Sequence, residues 1–213
     1  MPKHPQVSRL RRLSLQETAR SSAILLLLFL SQTVALQSAP FPAAAKNPGT
    51  ASMQKKLDFV HENSLRPRPD PQPTNFSEPE INSYIAGGGL KLPNGVQSLR
   101  FASEPGVITA YATVDFDQVR AGSGSMNPLL TVFSGIHDVI AVAHGQGAGG
   151  EARIHIDSVS LDGVEVPNFV LQMFAQKFIT PRHPDLGVDS HFALPERVDS
   201  ADVGIHVLTV RQK

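Results

Sequence analysis

The sequence predicts an α+β domain, in which a curved antiparallel sheet, elongated and barrel-like or half-barrel in form, carries two packed helices. Three observations support this fold class. Apolar and polar residues alternate through 107–116, a glycine-rich segment at 145–150 separates two strand-like runs, and a helix-capping pattern begins at Ser77. Together the strands and the two helices form an α+β pattern without an internal repeat.

The amino-terminal segment is basic and is followed by a short apolar run. The first 22 residues carry five basic residues and one acidic residue, a net charge of +4, and AILLLLFL follows at 23–30. A membrane-spanning helix needs about 20 apolar residues, so this run is too short. The pattern predicts a signal peptide at 1–39 and an exported protein, periplasmic or extracellular. An uncleaved signal that anchors the protein in the inner membrane is the alternative.

The composition excludes several classes of partner and chemistry. The chain has no cysteine, so it can form no disulfide and has neither a thiol nucleophile nor a cysteine ligand for a metal. From Pro40 onward it carries 14 basic and 18 acidic residues, a net charge of −4. This acidic balance gives no electrostatic basis for binding nucleic acid.

A proline-rich segment precedes the predicted domain. Seven of the 35 residues from Pro40 to Thr74 are proline, which favours an extended spacer over packed structure. Met53, Leu57 and Val60 have the spacing of one helix face, but a transient helix within a linker is the preferred interpretation. Residues 40–74 are therefore predicted to be a linker, and residues 75–213 the domain.

The first elements of the domain have clear signals. Ser77 stands three residues before Glu80, a capping box for a helix that glycines 87–89 end. Strands are predicted at 96–102 and 107–116, with a turn at 104–106 between them.

The middle of the domain contains a predicted hairpin. A loop at 120–125 and a short helix or irregular stretch at 128–136 precede it. Strands at 138–144 and 152–161 then flank a flexible tip at 145–150.

The last part of the domain contains an apolar helix and two strands. A turn at 162–163 leads to Pro167, which suits the first turn of a helix running to about Phe178. So few polar residues lie on this helix that it must be widely buried or face something apolar. Strands at 186–192 and 198–210 complete the domain.

The segment GQGAGG at 145–150 satisfies the letters of a dinucleotide-binding motif. Such a site needs a helix directly after the glycines, because the helix N-terminus binds the pyrophosphate. The following residues alternate like a strand, so the segment is predicted to be a hairpin tip.

Neither a metal site nor a catalytic site is predicted. No pair of histidines has the H-x-x-x-H spacing that places two ligands on one helix face, and no G-x-S-x-G elbow surrounds a serine. We therefore predict a protein that is not an enzyme and uses no cofactor. The metal-ligand candidates considered are His61, His137, His144, His155, His183, His191 and His206, with Asp157, Asp185 and Asp189.

An apolar interior is the remaining candidate site. Large apolar residues on the 167–178 helix face a strand with small inner residues, which leaves room for an apolar ligand unless the core is tightly packed. Both interpretations stay open on the pattern alone. The predicted cavity residues are Ile108, Ala110, Ala112, Phe169, Val170, Met173, Phe174 and Phe178.

Four short motifs occur in a characteristic order. They are SEPEINSYI at 77–85, GVI with AYATVD at 106–115, LDGVEVP at 161–167 and ALPERV at 193–198. In this order the sequence resembles the LmeA-like phospholipid-binding proteins of bacterial envelopes, which are exported, strand-rich and elongated. The resemblance covers about two-thirds of the chain. It implies binding of a lipid or lipid-like molecule and association with a membrane, and it favours the cavity over the packed core.

Overall fold

A computed structural model describes residues 47–123, 134–181 and 184–213. Within these ranges the fold is α+β, as the sequence predicts: nine antiparallel strands form one sheet that does not close into a barrel, and four α-helices accompany it. The predicted signal peptide, residues 1–39, lies outside the described residues. The helices are α1 (Pro48–Ser64), α2 (Glu78–Ala86), α3 (Phe116–Ser123) and α4 (Asn168–Phe174). The strands are β1 (Thr74–Ser77), β2 (Val96–Glu104), β3 (Val107–Asp115), β4 (Ile136–Ala148), β5 (Glu151–Leu161), β6 (Val164–Glu165), β7 (Asp189–Ala193), β8 (Val198–Gly204) and β9 (Val207–Gln212).

The sheet has two parts that meet at β4. Strands β2, β3, β4, β5 and β7 pair in that order, and β6 adds to β5. Strands β8, β9 and β1 pair with one another and join β4 through Gly147 and Ala201. Gly147 suits this junction, because a Cβ there would meet the Leu194 side chain at 2.9 Å and Ala201 at 3.0 Å.

The main hydrophobic core lies between the first two helices and the β1–β9–β8 part of the sheet. Helix α1 contributes Met53 and Val60, and α2 contributes Ile81 and Ile85; the rest come from three strands and from the loop after α2. The remaining buried members of this core are Phe76, Leu90, Val198 and Val210.

The prediction that 40–74 is a spacer is wrong for its largest described part. Residues Pro48–Ser64 form α1, and Met53 and Val60 are 3% and 2% exposed in the main core. The side chain of Asn47 accepts a hydrogen bond from the backbone N–H of Gly49 at 3.1 Å and so caps the helix. The folded unit therefore includes α1 and begins well before the predicted boundary at residue 75.

The predicted capping box of α2 is confirmed. The Glu80 carboxylate accepts hydrogen bonds from the backbone N–H and the hydroxyl of Ser77, at 3.0 and 2.9 Å. The helix ends at the predicted glycines, where Gly88 has a φ of 76°.

The predicted loop at 120–125 is wrong where it can be compared, since residues 120–123 belong to α3. The Asp115 carboxylate accepts from the backbone N–H groups of Asp117 and Gln118, at 3.0 and 3.1 Å. This N-cap starts a helix at Phe116, so strand β3 stops one residue earlier than predicted. Hydrogen bonds from Gln118 and Asp117 outweigh desolvation and lower the pKa of Asp115. The described residues include neither 124 and 125 nor most of the predicted 128–136 segment.

The predicted β4–β5 hairpin is confirmed, although its tip is much shorter than 145–150. Only Gly149 and Gly150 form the turn, with φ of 65° and 83°, and residues 145–148 belong to β4. The segment after the glycines is strand β5 rather than a helix.

The late strands differ from the prediction. Residues 198–210 form a hairpin of β8 and β9, with His206 at its turn and a φ of 54°. The strand predicted at 186–192 is β7, which begins at Asp189.

Candidate functional site

Cross-strand pairing places apolar side chains from four strands on one face of the sheet. In one row Phe101 pairs with Ala110, Ala110 with Ala141, and Ala141 with Val159. Directly paired residues of antiparallel strands share a face, so the rows form a continuous surface. We call this surface the apolar floor. Its residues are Leu99, Phe101, Ile108, Ala110, Ala112, Val139, Ala141, Ala143, Ile156, Val159 and Leu161.

The apolar floor is only partly covered. Ile108 is 6% exposed, whereas every other floor residue is half-buried. Leu99 and Phe101 pack against the main core, so the β2 side of the floor is the better covered. The inner sheet face therefore retains accessible apolar surface on β3, β4 and β5.

A small crevice adjoins the floor at Ile108. Its volume is about 30 Å³, and Ala152, Ile154, Phe192, Leu194 and Leu208 are among its lining residues. This space suits one or two water molecules, whereas ligand pockets usually measure about 300–1,000 Å³. The crevice cannot enclose an acyl chain.

Helix α4 is shorter and more exposed than predicted. It begins after Pro167, which is its N-cap residue rather than a member of its first turn. The backbone hydrogen bonds then change from α-helical to π-helical spacing at Ala175–Ile179, where the N–H of Thr180 donates to the carbonyl of Ala175 at 2.9 Å. The single α-helix predicted to reach Phe178 is therefore wrong.

The large apolar residues of α4 are not buried. Phe169 is 65% exposed and Met173 45% exposed, while Val170 and Phe174 are half-buried. The helix was predicted either to be widely buried or to face something apolar. Wide burial is wrong, so the second alternative stays a prediction.

The eight predicted cavity residues divide into two groups. Ile108, Ala110 and Ala112 lie on the apolar floor, as predicted for the inner sheet face. None of the α4 residues is among those that line the crevice at Ile108. The side chain of Phe178 lies outside the described part of the structure. The floor residues of β4 and β5 were missed. Those of β5 could have been found, because apolar and polar residues alternate in 152–156 and 158–161, whereas 139–143 is apolar throughout and does not distinguish the two faces of β4.

A histidine–carboxylate pair fixes one end of the floor. His137 pairs across the strands with Val114, and its Nδ1 lies 2.6 Å from the Asp162 carboxylate. Its Nε2 lies 3.1 Å from the carbonyl oxygen of Ser134. Because both partners only accept hydrogen bonds, both ring nitrogens must donate, which favours the imidazolium form. The bonds to Asp162 and Ser134 accordingly raise the pKa of His137, and the bond from His137 lowers the pKa of Asp162.

The histidines considered as metal ligands are engaged with carboxylates instead. Each of the six histidines in the described ranges has a ring nitrogen within 3.2 Å of an Asp or Glu oxygen. Within those ranges no three His, Cys, Asp or Glu side chains form a group that could hold a metal ion. His183 lies outside the description. The pairs are His61–Glu196, His137–Asp162, His144–Asp157, His155–Asp189, His191–Glu151 and His206–Glu78.

The described part of the chain is thus an α+β domain with an open antiparallel sheet and a partly covered apolar face. None of its described helices is long and apolar enough to cross a membrane. No protein-family model, curated protein sequence or solved structure matches the chain.

Proposed function

We propose that this protein is a non-enzymatic binding protein that holds a lipid or another apolar ligand against the apolar floor. One observation carries the proposal: the floor is apolar across four strands, yet all of it except Ile108 is half-buried. A soluble domain normally buries such a sheet face, and accessible apolar surface of this width is typical of a binding site.

Exposed apolar side chains at one end of the floor support the same proposal. Floor residue Leu161 pairs with Val164, which is 71% exposed, and α4 follows with Phe169 and Met173. Ile136, 58% exposed, begins β4 next to the His137–Asp162 pair. An apolar ligand or a membrane surface reaching this end would cover side chains that water now contacts.

The basic amino-terminal segment and the apolar run after it support action in the cell envelope, after export. In this proposal the partner is a lipid or apolar small molecule, and no cofactor takes part.

A large side chain introduced on the apolar floor tests whether the ligand binds there. Ala110→Phe adds a large side chain to the floor, whereas Thr109→Phe adds the same side chain to the opposite face of β3. We expect wild-type protein to take up a fluorescent fatty acid saturably. Ala110→Phe should weaken the affinity about tenfold, and Thr109→Phe should leave it nearly unchanged.

Circular dichroism of each variant shows that the fold is retained. Equal affinities for wild type and Ala110→Phe would place the ligand elsewhere. An absence of saturable uptake by folded wild-type protein would contradict the proposal.

A structural or protein-interaction domain is the second candidate. The small size of the crevice at Ile108 favours it, because a filled interior leaves only the surface for recognition. In that case folded wild-type protein takes up no apolar probe, and Ala110→Phe changes stability without changing any ligand affinity.

A further inference from the structure

The face of the sheet opposite the apolar floor carries a groove that charged and amide side chains line. Two rows of paired residues cross β4, β5 and β7 there, and all six residues are exposed. The groove that they line has a volume of about 560 Å³ and extends to Gly106 in the β2–β3 turn. The first row is His144, His155 and Asp189, and the second is Gln146, Arg153 and His191.

Three histidine–carboxylate pairs surround this groove. His144 Nδ1 lies 2.6 Å from the Asp157 carboxylate, and His191 Nε2 lies 3.0 Å from that of Glu151. His155 Nδ1 lies 2.5 Å from Asp189, and this hydrogen bond raises the pKa of His155. Each carboxylate therefore has an imidazole partner in place.

Arg153 differs from these paired groups. Its side chain has neither a hydrogen bond nor an ion pair to any residue that the structure describes, although it lies between Gln146 and His191 in the second row. A guanidinium offers five N–H donors and remains charged at every physiological pH. The groove thus contains a cation with unused donors.

The formal charge of this face changes with pH. The charged and titratable groups of the two rows and of their hydrogen-bond partners are His144 on β4, Asp189 and His191 on β7, and a set on β5 that comprises Glu151, Arg153, His155 and Asp157. Glu104 on β2 continues the first row through Val107 and adds a carboxylate at its edge. Arg153 and the three carboxylates paired with imidazoles give a charge of −2 while the imidazoles are neutral, and −3 with Glu104. Protonation of the three imidazoles raises these charges to +1 and 0, and leaves each of the three paired carboxylates hydrogen-bonded to a cation.

We propose that this groove binds an anionic phosphate or carboxylate group against the guanidinium of Arg153, and that protonation of His144, His155 and His191 tightens the binding. The guanidinium pairs with an oxyanion in a bidentate manner, and Gln146 supplies an amide donor beside it. Protonation of the imidazoles adds positive charge beside the guanidinium, so binding strengthens as the pH falls from about 7.5 to about 5.5. This site lies on the other face from the apolar floor and does not depend on the proposed function.

Dimethyl phosphate is a suitable probe, because it remains a monoanion throughout this pH range. In an NMR titration of the full chain, we expect amide shifts on β4, β5 and β7, and a dissociation constant about tenfold lower at pH 5.5 than at pH 7.5. Arg153→Gln should weaken binding about tenfold at the lower pH. The control Arg100→Gln removes an exposed guanidinium that lies 4.1 Å from the Tyr111 ring on β2 and β3, and it should leave the affinity unchanged.

Vesicles of phosphatidylglycerol form the second arm of the experiment, at the lower pH. Vesicle retention that Arg153→Gln abolishes would identify the anion as a lipid headgroup. Binding of dimethyl phosphate without vesicle retention would identify a soluble ligand. Equal affinities for wild type and Arg153→Gln, or no saturable shift for wild type, would overturn the site. Equal affinities at both pH values would overturn the role of the histidines.

Discussion

At the scale of single residues, two buried amides join the end of α1 to the end of β9. The side chain of Asn63 is fully buried, and its Nδ2 donates to Gln212 Oε1 at 2.8 Å and to the carbonyl of Asp70 at 3.0 Å. Its Oδ1 accepts from the backbone N–H of Asp70 at 2.8 Å. Gln212 in turn donates to the carbonyls of Val60 and Glu196, so both amides are satisfied without water.

Removal of the Asn63 amide should destabilise the protein. Asn63→Ala leaves Gln212 Oε1 without a partner in a buried site, at a cost of about 1–3 kcal/mol. It also removes two part-buried hydrogen bonds to the backbone of Asp70. We expect the free energy of unfolding in urea to fall by about 2 kcal/mol or more. The control Asn94→Ala removes an exposed amide that donates to the Gln118 carbonyl, and its cost should be about 0.5 kcal/mol. Equal losses for the two variants would contradict the importance of the buried amides.

Among the described residues, Glu80 has the carboxylate whose ionisation should affect stability most. Burial raises its pKa, but hydrogen bonds from Lys56, Ser52 and Ser77 outweigh burial and lower the pKa to about 2. Because the folded pKa lies below the unfolded one, the stabilisation is present above about pH 4.5 and is lost as the pH falls towards 2. Urea denaturation over this range should show the loss.

Glu80→Gln should be less stable than wild type at pH 7 and should lose less stability on acidification. Glu62→Gln changes an exposed carboxylate on α1 and should follow the wild-type curve. If Glu80→Gln shows the same dependence of stability on pH as the wild type, the hydrogen bonds to Glu80 contribute no stability.

At the scale of elements, α1 determines where the folded unit begins. Residues 49–64 contain no proline, which allows a helix of more than four turns, and the Lys56–Glu80 ion pair at 2.7 Å links this helix to α2. If residues 40–63 were only a spacer, their deletion would leave the melting temperature unchanged. Because they include most of α1, we expect the deletion to lower the melting temperature strongly.

A single substitution tests the packing of α1 without removing it. Val60 is 2% exposed in the main core, so Val60→Ala should cost about 2 kcal/mol through lost burial and a residual cavity. Val164→Ala alters a side chain that is 71% exposed and should change stability by about 0.5 kcal/mol at most. Thermal and urea unfolding measure both. Similar, small effects would show that α1 adds little to the core.

At the scale of the whole molecule, the sheet separates two surfaces of opposite chemistry. One face is the apolar floor, and the other carries the groove around Arg153. Strands β4 and β5 contribute to both faces, because successive side chains of a strand point to opposite sides of the sheet. Ala143 and its neighbour His144 are an example. Each proposed site can therefore be altered on one face while the other is kept.

The sequence alone determined the features that depend on local chemistry. The capping box at Ser77, the β3 alternation and the β4–β5 hairpin follow from neighbouring residues, which set backbone geometry and side-chain period. The apolar spacing of Met53, Leu57 and Val60 was visible too, but proline content favoured a spacer.

Only the tertiary structure decided which of these local patterns are packed. Burial of α1 depends on partners as distant in sequence as Gln212, whereas Phe169 is 65% exposed although it stands in an equally apolar segment. The groove around Arg153 arises because strand pairing brings β4, β5 and β7 side by side. Such contacts join residues far apart in the chain, and no local pattern specifies which segments will meet.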